Sequence, residues 1–302
     1  MEHIVDTFVN GIKNITKNPV LFVPFILFFA ILLVLAFVLG IVIAFPIIAL
    51  IEGSEINWIF LGIAILLFAF IILILSSHVS AGTIGMAKEA VSTGNAKLND
   101  WFTYGNKYLG RIFFATILTS IIELVVIVFW LPTVYVLINS GYTLTSFIDI
   151  LDTNPDALLP FFTSLIIPIL IGCLLTIVYS IIVYVLLYFV EYAIVVDDMA
   201  VFASFKKSYA VLRQHFWNVL FFVIAIYLIS VGVSSVVSMA SYFIMPLAAI
   251  DAILYSIGSL ILSIIQLVVS LLLAIATIVW STRFYMAITE KELHTEEDLT
   301  RY

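Results

Sequence analysis

The chain has 302 residues, of which 64% are hydrophobic and only 10% charged, with a net charge of -7. Soluble domains carry about 25% charged and about 45–50% apolar residues, so this composition excludes a soluble enzyme and a disulfide-stapled secreted scaffold and indicates a polytopic membrane protein. The acidic balance also excludes a nucleic-acid binder.

A helix needs roughly 20 apolar residues to cross a hydrocarbon core about 30 Å thick. Uncharged runs of that order lie at residues 19–51, 56–77, 112–138, 161–190, 216–250 and 252–282, which predicts an all-α integral membrane protein with six transmembrane helices. The first run is too long for one straight span, so Pro24 and Pro46 are expected at interfacial or kinked ends. Pro246 and Asp251 part the fifth run from the sixth. Cys173 stands alone in the fourth run, which leaves it a packing role rather than a disulfide or thiolate site.

All 12 Lys and Arg residues fall in alternate segments around these runs, beginning with the first. The other segments hold Glu52, Glu55, Asp149, Asp152, Asp156 and Asp251 and no cation. By the positive-inside rule, both termini are expected in the cytoplasm and the chain in the plasma membrane. Trp101, Trp217 and Trp280 then mark inner boundaries, and Trp58, Tyr135 and Tyr142 outer ones. Asp149, Asp152 and Asp156 read as the solvated face of a short outer-loop helix.

The cationic segments carry an internal pattern. Asp6-Thr7-Phe8-Val9-Asn10-Gly11-Ile12-Lys13-Asn14-Ile15 aligns without gaps with Asp100-Trp101-Phe102-Thr103-Tyr104-Gly105-Asn106-Lys107-Tyr108-Leu109, matching at Asp, Phe, Gly and Lys. A weaker third copy, Ala203-Ser204-Phe205 through Ser208 to Leu212, keeps the Phe, a small residue and the terminal aliphatic. Two uncharged runs follow each copy. The chain is therefore expected to be one membrane domain, residues 1–302, with three repeats of an amphipathic helix plus a helix pair. Their bounds are about 4–97, 98–198 and 199–285, with a cytoplasmic tail at 286–302.

Helical periodicity sets Ile4, Val5, Phe8, Val9, Ile12 and Ile15 against Asp6, Asn10, Lys13, Asn14 and Lys17 in the first segment. The second opposes Leu98, Trp101, Phe102, Tyr108, Leu109 and Ile112 to Asn99, Asp100, Asn106 and Lys107. The third opposes Val201, Phe205, Tyr209, Leu212 and Phe216 to Lys206, Lys207 and Arg213. Three such helices would gird the inner membrane surface, with Lys13, Lys107, Arg111, Lys206, Lys207 and Arg213 toward anionic headgroups. The stretch from Ser80 to Ala90 continues the second run inward to Gly94, a natural C-terminal cap, and Ala81 and Gly85 allow close helix approach.

The stretch Ala193-Ile194-Val195-Val196-Asp197-Asp198, then Ala203-Ser204-Phe205-Lys206-Lys207-Ser208 and Leu212-Arg213 up to Trp217, resembles a known signature. It is that of the membrane domain in some glycerophosphodiester phosphodiesterases and in related uncharacterised, largely archaeal, membrane proteins. In that family the hydrolytic chemistry belongs to a separate soluble barrel domain, for which the stretch after Arg283 leaves no room. The resemblance therefore implies a membrane module without the catalytic half, and no active-site residue carries over.

Glu123 lies deep, twelve residues past Arg111 and sixteen before Asn139, close to mid-membrane. A carboxylate there is costly and a functional candidate by default. With every cation placed on the inner surface, it has no countercharge. Thr116, Thr119 and Ser120 share its helix face, and Tyr179, Ser180 and Gln266 are expected at similar depth. The candidate intramembrane polar site is thus Glu123, Ser120, Thr116, Gln266 and Tyr179. Stripes of serines at Ser230, Ser234, Ser238 and Ser241, and at Ser256, Ser259, Ser263 and Ser270, are expected to face other helices, packed closely or lining a wet cavity. His3, His78, His215 and His294 are scattered, so no metal site, catalytic residue or cofactor is expected. These features point to a non-enzymatic membrane scaffold whose partners are membrane lipids or a cytoplasmic protein. The alternative is a proton-coupled transporter or lipid translocator working through Glu123.

Overall fold

The computed structural model describes residues 4–51, 58–139, 159–245 and 252–293. These form α1 (Ile4–Lys17), a 3-10 turn (Pro19–Phe22), α2 (Val23–Ile51), α3 (Trp58–Ser92), α4 (Leu98–Glu123), α5 (Val126–Phe129) and α6 (Leu131–Asn139). They continue with α7 (Leu159–Leu187), α8 (Val190–Val196), α9 (Val201–Gln214), α10 (Phe216–Ile244) and α11 (Ala252–Ile288), with no strand among the described residues. Six stretches are long and apolar enough to cross a membrane: Pro19–Ala44, Ile59–Ser92, Leu98–Phe129, Phe162–Val196, Phe216–Tyr242 and Ile253–Ile288. The fold is all-α, as the uncharged runs require. Glu52, Glu55, Asp149, Asp152, Asp156, Asp251, Tyr142, Pro246, His3 and the tail from His294 lie outside the described residues.

Helix ends follow local chemistry. Asn18 stops α1 with φ -123° and ψ 69°, a non-helical backbone of the kind imposed on the residue before a proline. Its side chain compensates: Nδ2 donates to Asn14 O at 2.9 Å and Gly94 O at 3.2 Å, while Oδ1 accepts from Ala96 N at 2.8 Å. Asn18 thereby ties the end of α1 to the α3–α4 turn, where Gly94 takes φ 74° without the Cβ strain of other residues. Pro24 sits in the first turn of α2, which needs no N–H donor there, but α2 continues through position 46 to Ile51, so Pro46 does not end it. His215, at φ -126° and ψ 36°, separates α9 from α10.

One expectation fails at α4. The second amphipathic segment and the third span form a single helix, Leu98–Glu123, rather than an in-plane helix followed by a crossing one. No proline stands between Tyr108 and Ile112, and Gly110 stays helical, so nothing interrupts the hydrogen-bond ladder. The first and third segments, α1 and α9, are set off from the spans that follow them.

The chain divides into two compact units, residues 1–115 with 189–302, and residues 116–188. In the first, α3 and α11 have 35 and 37 residues. At 1.5 Å per residue such helices are about 50 to 55 Å long, well beyond the hydrocarbon thickness. The packing is concentrated toward their C-terminal ends. Buried side chains crowd residues 77–91 of α3, 190–196 of α8 and 279–286 of α11, where Arg283 is itself buried, whereas Phe37, Ile59 and Leu66 farther along the spans are exposed. Lipid is as apolar as leucine and gives apolar side chains little reason to pack against one another, which accounts for the exposure along the rest of these helices.

α11 packs against α10, α1 and α3, and α8 against α9 and α3. Phe222 stacks on Phe284 with ring centroids 3.9 Å apart, and Phe8 meets Trp280 edge-on at 4.8 Å. The Trp280 indole also donates to Phe8 O at 3.1 Å, so a buried polar N–H is satisfied. In the second unit, α7 packs against α5 and α6. Trp130 Nε1 donates there to Thr176 Oγ1 at 3.2 Å, and Cys173 is partly buried on α7.

Candidate functional site

Glu123 is the last residue of α4, and Leu124 and Val125 form a turn before α5. The third span is therefore interrupted beside this carboxyl. A helix end within hydrocarbon leaves carbonyls that lack an intrahelical donor. Tyr179 answers one of them: its hydroxyl donates to Ile122 O at 2.6 Å, which Val125 N also reaches at 3.2 Å. The Tyr179 ring meets Phe129 edge-on at 5.5 Å. Of the candidate set, Tyr179 is thus brought to the turn that carries Glu123, through the main chain. The side chains of Glu123 and Ser120 are exposed and Thr116 is partly buried; Gln266 is exposed on α11, in the other unit.

Serines of both stripes bond within their own helices. Ser259 and Ser263 donate to the carbonyls of Ser256 and Ser259 at 2.9 and 2.8 Å, and Ser241 donates to Ser238 O. A serine hydroxyl can reach a carbonyl one turn back on its own helix, so it needs no neighbour. Tyr227, Ser230, Val231, Ser234, Ser235 and Ser238 line an open groove of about 340 Å³ along α10.

A denser polar constellation lies in the first unit, around the end of α8. Lys88 Nζ donates to Val196 O at 3.1 Å, a favourable place for a cation because the helix C-terminus carries partial negative charge. Asp197 Oδ2 accepts from the Tyr285 hydroxyl at 2.7 Å, while Lys291 Nζ lies 3.0 Å from Oδ1 without hydrogen-bond alignment. Asp198 turns the chain with φ 55°. Its carboxylate takes Lys107 Nζ at 3.1 Å and Arg111 Nη1 at 2.6 Å, and Arg111 also donates to Asp198 O at 3.1 Å. The hydrogen bond from Lys107, then that from Arg111, holds the Asp198 carboxyl below the usual carboxylate range. Nearby, the Ser80 hydroxyl donates to Glu191, and Tyr104 OH donates to Glu89 Oε1 at 2.5 Å.

One turn of chain thus fastens three helices: Val196 O holds α3, Asp198 holds α4 and Asp197 holds α11. Lys107 and Arg111, expected toward headgroups, have an acceptor within the protein. Lys13, Lys206 and Arg213 are exposed and Lys207 is partly buried.

The three amphipathic segments bury the same aligned positions. These are Thr7, Gly11 and Asn14 on α1, Trp101, Gly105 and Tyr108 on α4, and Ser204, Ser208 and Val211 on α9. On α1 the packing face is offset from the apolar face, since Val5, Val9 and Ile12 are exposed, whereas α4 and α9 bury part of their apolar faces at Trp101, Tyr108, Ile112 and Leu212 and leave Phe102 and Tyr209 exposed. The central position is a small residue in all three: Gly11, Gly105 and Ser208. A Cβ on Gly11 would lie 2.3 Å from Trp280 Cδ1, and one on Gly105 would lie 2.6 Å from His78 Cε1, so each glycine receives a ring from a neighbouring helix. Ser208 Oγ accepts instead from Phe189 N at 3.3 Å.

Among the described residues, no three His, Cys, Asp or Glu side chains gather at metal-binding distance. No curated protein and no solved structure matches the chain. Nothing in these comparisons ties it to the glycerophosphodiester phosphodiesterases. The family described as a domain of unknown function (DUF7847) matches residues 3–288, nearly the full length, and the protein belongs to that family.

Proposed function

We propose that the protein is a non-enzymatic multi-pass module of the plasma membrane, with both termini in the cytoplasm, that organises lipid or a partner protein at the inner face. The observation that carries this reading is the shared burial register of the three amphipathic segments. Each turns the same three aligned positions, with a small residue (Gly11, Gly105 or Ser208) at the centre, to the packed end of the molecule, and α1 and α9 leave basic side chains exposed, as a repeated surface-organising element would. The confinement of all 12 cations to alternate segments supports the orientation. The likeness of residues 193–217 to the phosphodiesterase membrane domain agrees with a module that holds no chemistry of its own.

A second reading, a proton-coupled transporter or lipid translocator, is favoured by the interruption of the third span at Glu123. Broken spans expose main-chain groups at mid-membrane, which is where transporters hold coupling ions. Proteoliposomes separate the two. The scaffold reading expects an imposed pH gradient and the leaflet distribution of a fluorescent phospholipid to relax at the empty-vesicle rate. Faster relaxation that is lost in Glu123→Gln would overturn it in favour of transport.

A further inference from the structure

Phe202, Lys206, Tyr209 and Arg213 follow one another on α9 at spacings of four, three and four residues. At 3.6 residues per turn they form one stripe, on the side of the helix away from buried Ser204, Ser208 and Val211. All four are exposed, Phe202 at 74% and Tyr209 at 54%. Beyond the His215 break, Phe216 and Trp217 extend the aromatic edge, exposed at 45% and 65%. α9 contains no acidic residue. Lys88, Lys107 and Arg111 are engaged at the Val196–Asp198 turn, whereas Lys206 and Arg213 have no acidic partner among the described residues.

We infer that this stripe is a binding site for the phosphate headgroup of an anionic phospholipid. Rings at a helix–span junction sit at the headgroup level, where an amphipathic aromatic is most stable, and cations beside them meet the lipid phosphates. The arginine fork and the lysine ammonium both donate to phosphate oxygens. An acidic protein segment would match the charges but would leave four large aromatic side chains without an apolar medium; a lipid supplies both halves. The site rests on the proposed placement of α9 against the inner leaflet.

The test uses the full chain reconstituted in phosphatidylcholine vesicles containing a minor fraction of phosphatidylglycerol, with retained lipid measured by native mass spectrometry after mild extraction. Wild type is expected to retain phosphatidylglycerol preferentially at low salt and less so at high salt. Each juxtamembrane cation contributes about fivefold, so Lys206→Gln with Arg213→Gln lowers the preference by roughly twenty-five-fold. Phe202→Ala with Tyr209→Ala lowers retention of both lipids. The substituted side chains are all exposed, so the melting temperature should stay near wild type. Absence of any preference in wild type, or a preference untouched by the charge variant, overturns the site. So does tighter binding of polyglutamate than of phosphatidylglycerol by wild type, which would name an acidic protein partner instead. Flux that depends on Glu123 would sink the underlying scaffold reading, a result distinguishable from all of these.

Discussion

Two alanine substitutions on the same helix are expected to act in opposite directions. A methyl group at Gly82 would lie 2.1 Å from Trp101 Cδ1, 2.6 Å from its Nε1 and 2.6 Å from its main-chain oxygen. A ring can turn aside, but the carbonyl belongs to the first turn of α4 and moves only with that helix, so relief requires α3 and α4 to separate. Overpacking of this kind costs about 1–3 kcal/mol. Against it stands the gain in helix propensity from glycine to alanine, up to about 1 kcal/mol. Gly82→Ala should therefore lose up to about 2 kcal/mol net. At Gly62, where nothing stands within 4 Å, the propensity gain is unopposed and Gly62→Ala should be neutral to stabilising. Gly105→Ala should fall between them, because its closest neighbour is the His78 ring, whose side chain can swing away. Unfolding of the purified protein in one detergent, by heat or by titrated dodecyl sulfate and read by tryptophan fluorescence, ranks the three. If Gly82→Ala is as stable as Gly62→Ala, α3 and α4 do not close on each other at Trp101 and the packing at that end is wrongly drawn.

Tyr179→Phe removes the hydroxyl donor from Ile122 O and leaves it the longer bond from Val125 N. The expected loss is about 1 kcal/mol in the same unfolding assay, and an unchanged midpoint would show that the interrupted span does not depend on this bond. The Asp198 carboxyl is held below its ordinary range, so the stabilisation it brings is complete above the unfolded carboxylate value, about pH 4, and is lost as pH falls through the lower folded one. The difference in melting temperature between wild type and Asp198→Asn should accordingly be constant from about pH 5 upward and shrink below about pH 4. A difference that instead grows on acidification would refute the pairing with Lys107 and Arg111.

Much of the architecture is legible in the sequence because a bilayer constrains the chain on one axis, uncharged length, which can be counted directly. Which face packs is a different matter. In water the apolar stripe of an amphipathic helix turns inward, and periodicity would put Val5, Val9 and Ile12 at the interface. Against lipid that preference weakens and close approach decides, so Thr7, Gly11 and Asn14 are buried instead. The alignment of Gly11 with Gly105 carried this information, but as a match of letters rather than as a packing surface. The interruption after Glu123 has no proline or glycine to announce it. Val125-Val126-Ile127-Val128 is a β-branched run with lowered helix propensity, and that weak local signal becomes a break where Tyr179, 57 residues away, satisfies the freed carbonyl. Asp197 and Asp198 lie farther still from view, since their partners Tyr285 and Lys107 stand 88 and 91 residues off in either direction. Nothing in the local sequence pairs these acids with distant helices, yet the adjacent pair divides its bonds between two of them. The polar chemistry of this protein is thus tertiary, gathered at the packed end of the long helices, and it is there, rather than at Glu123, that substitutions should most strongly disturb the fold.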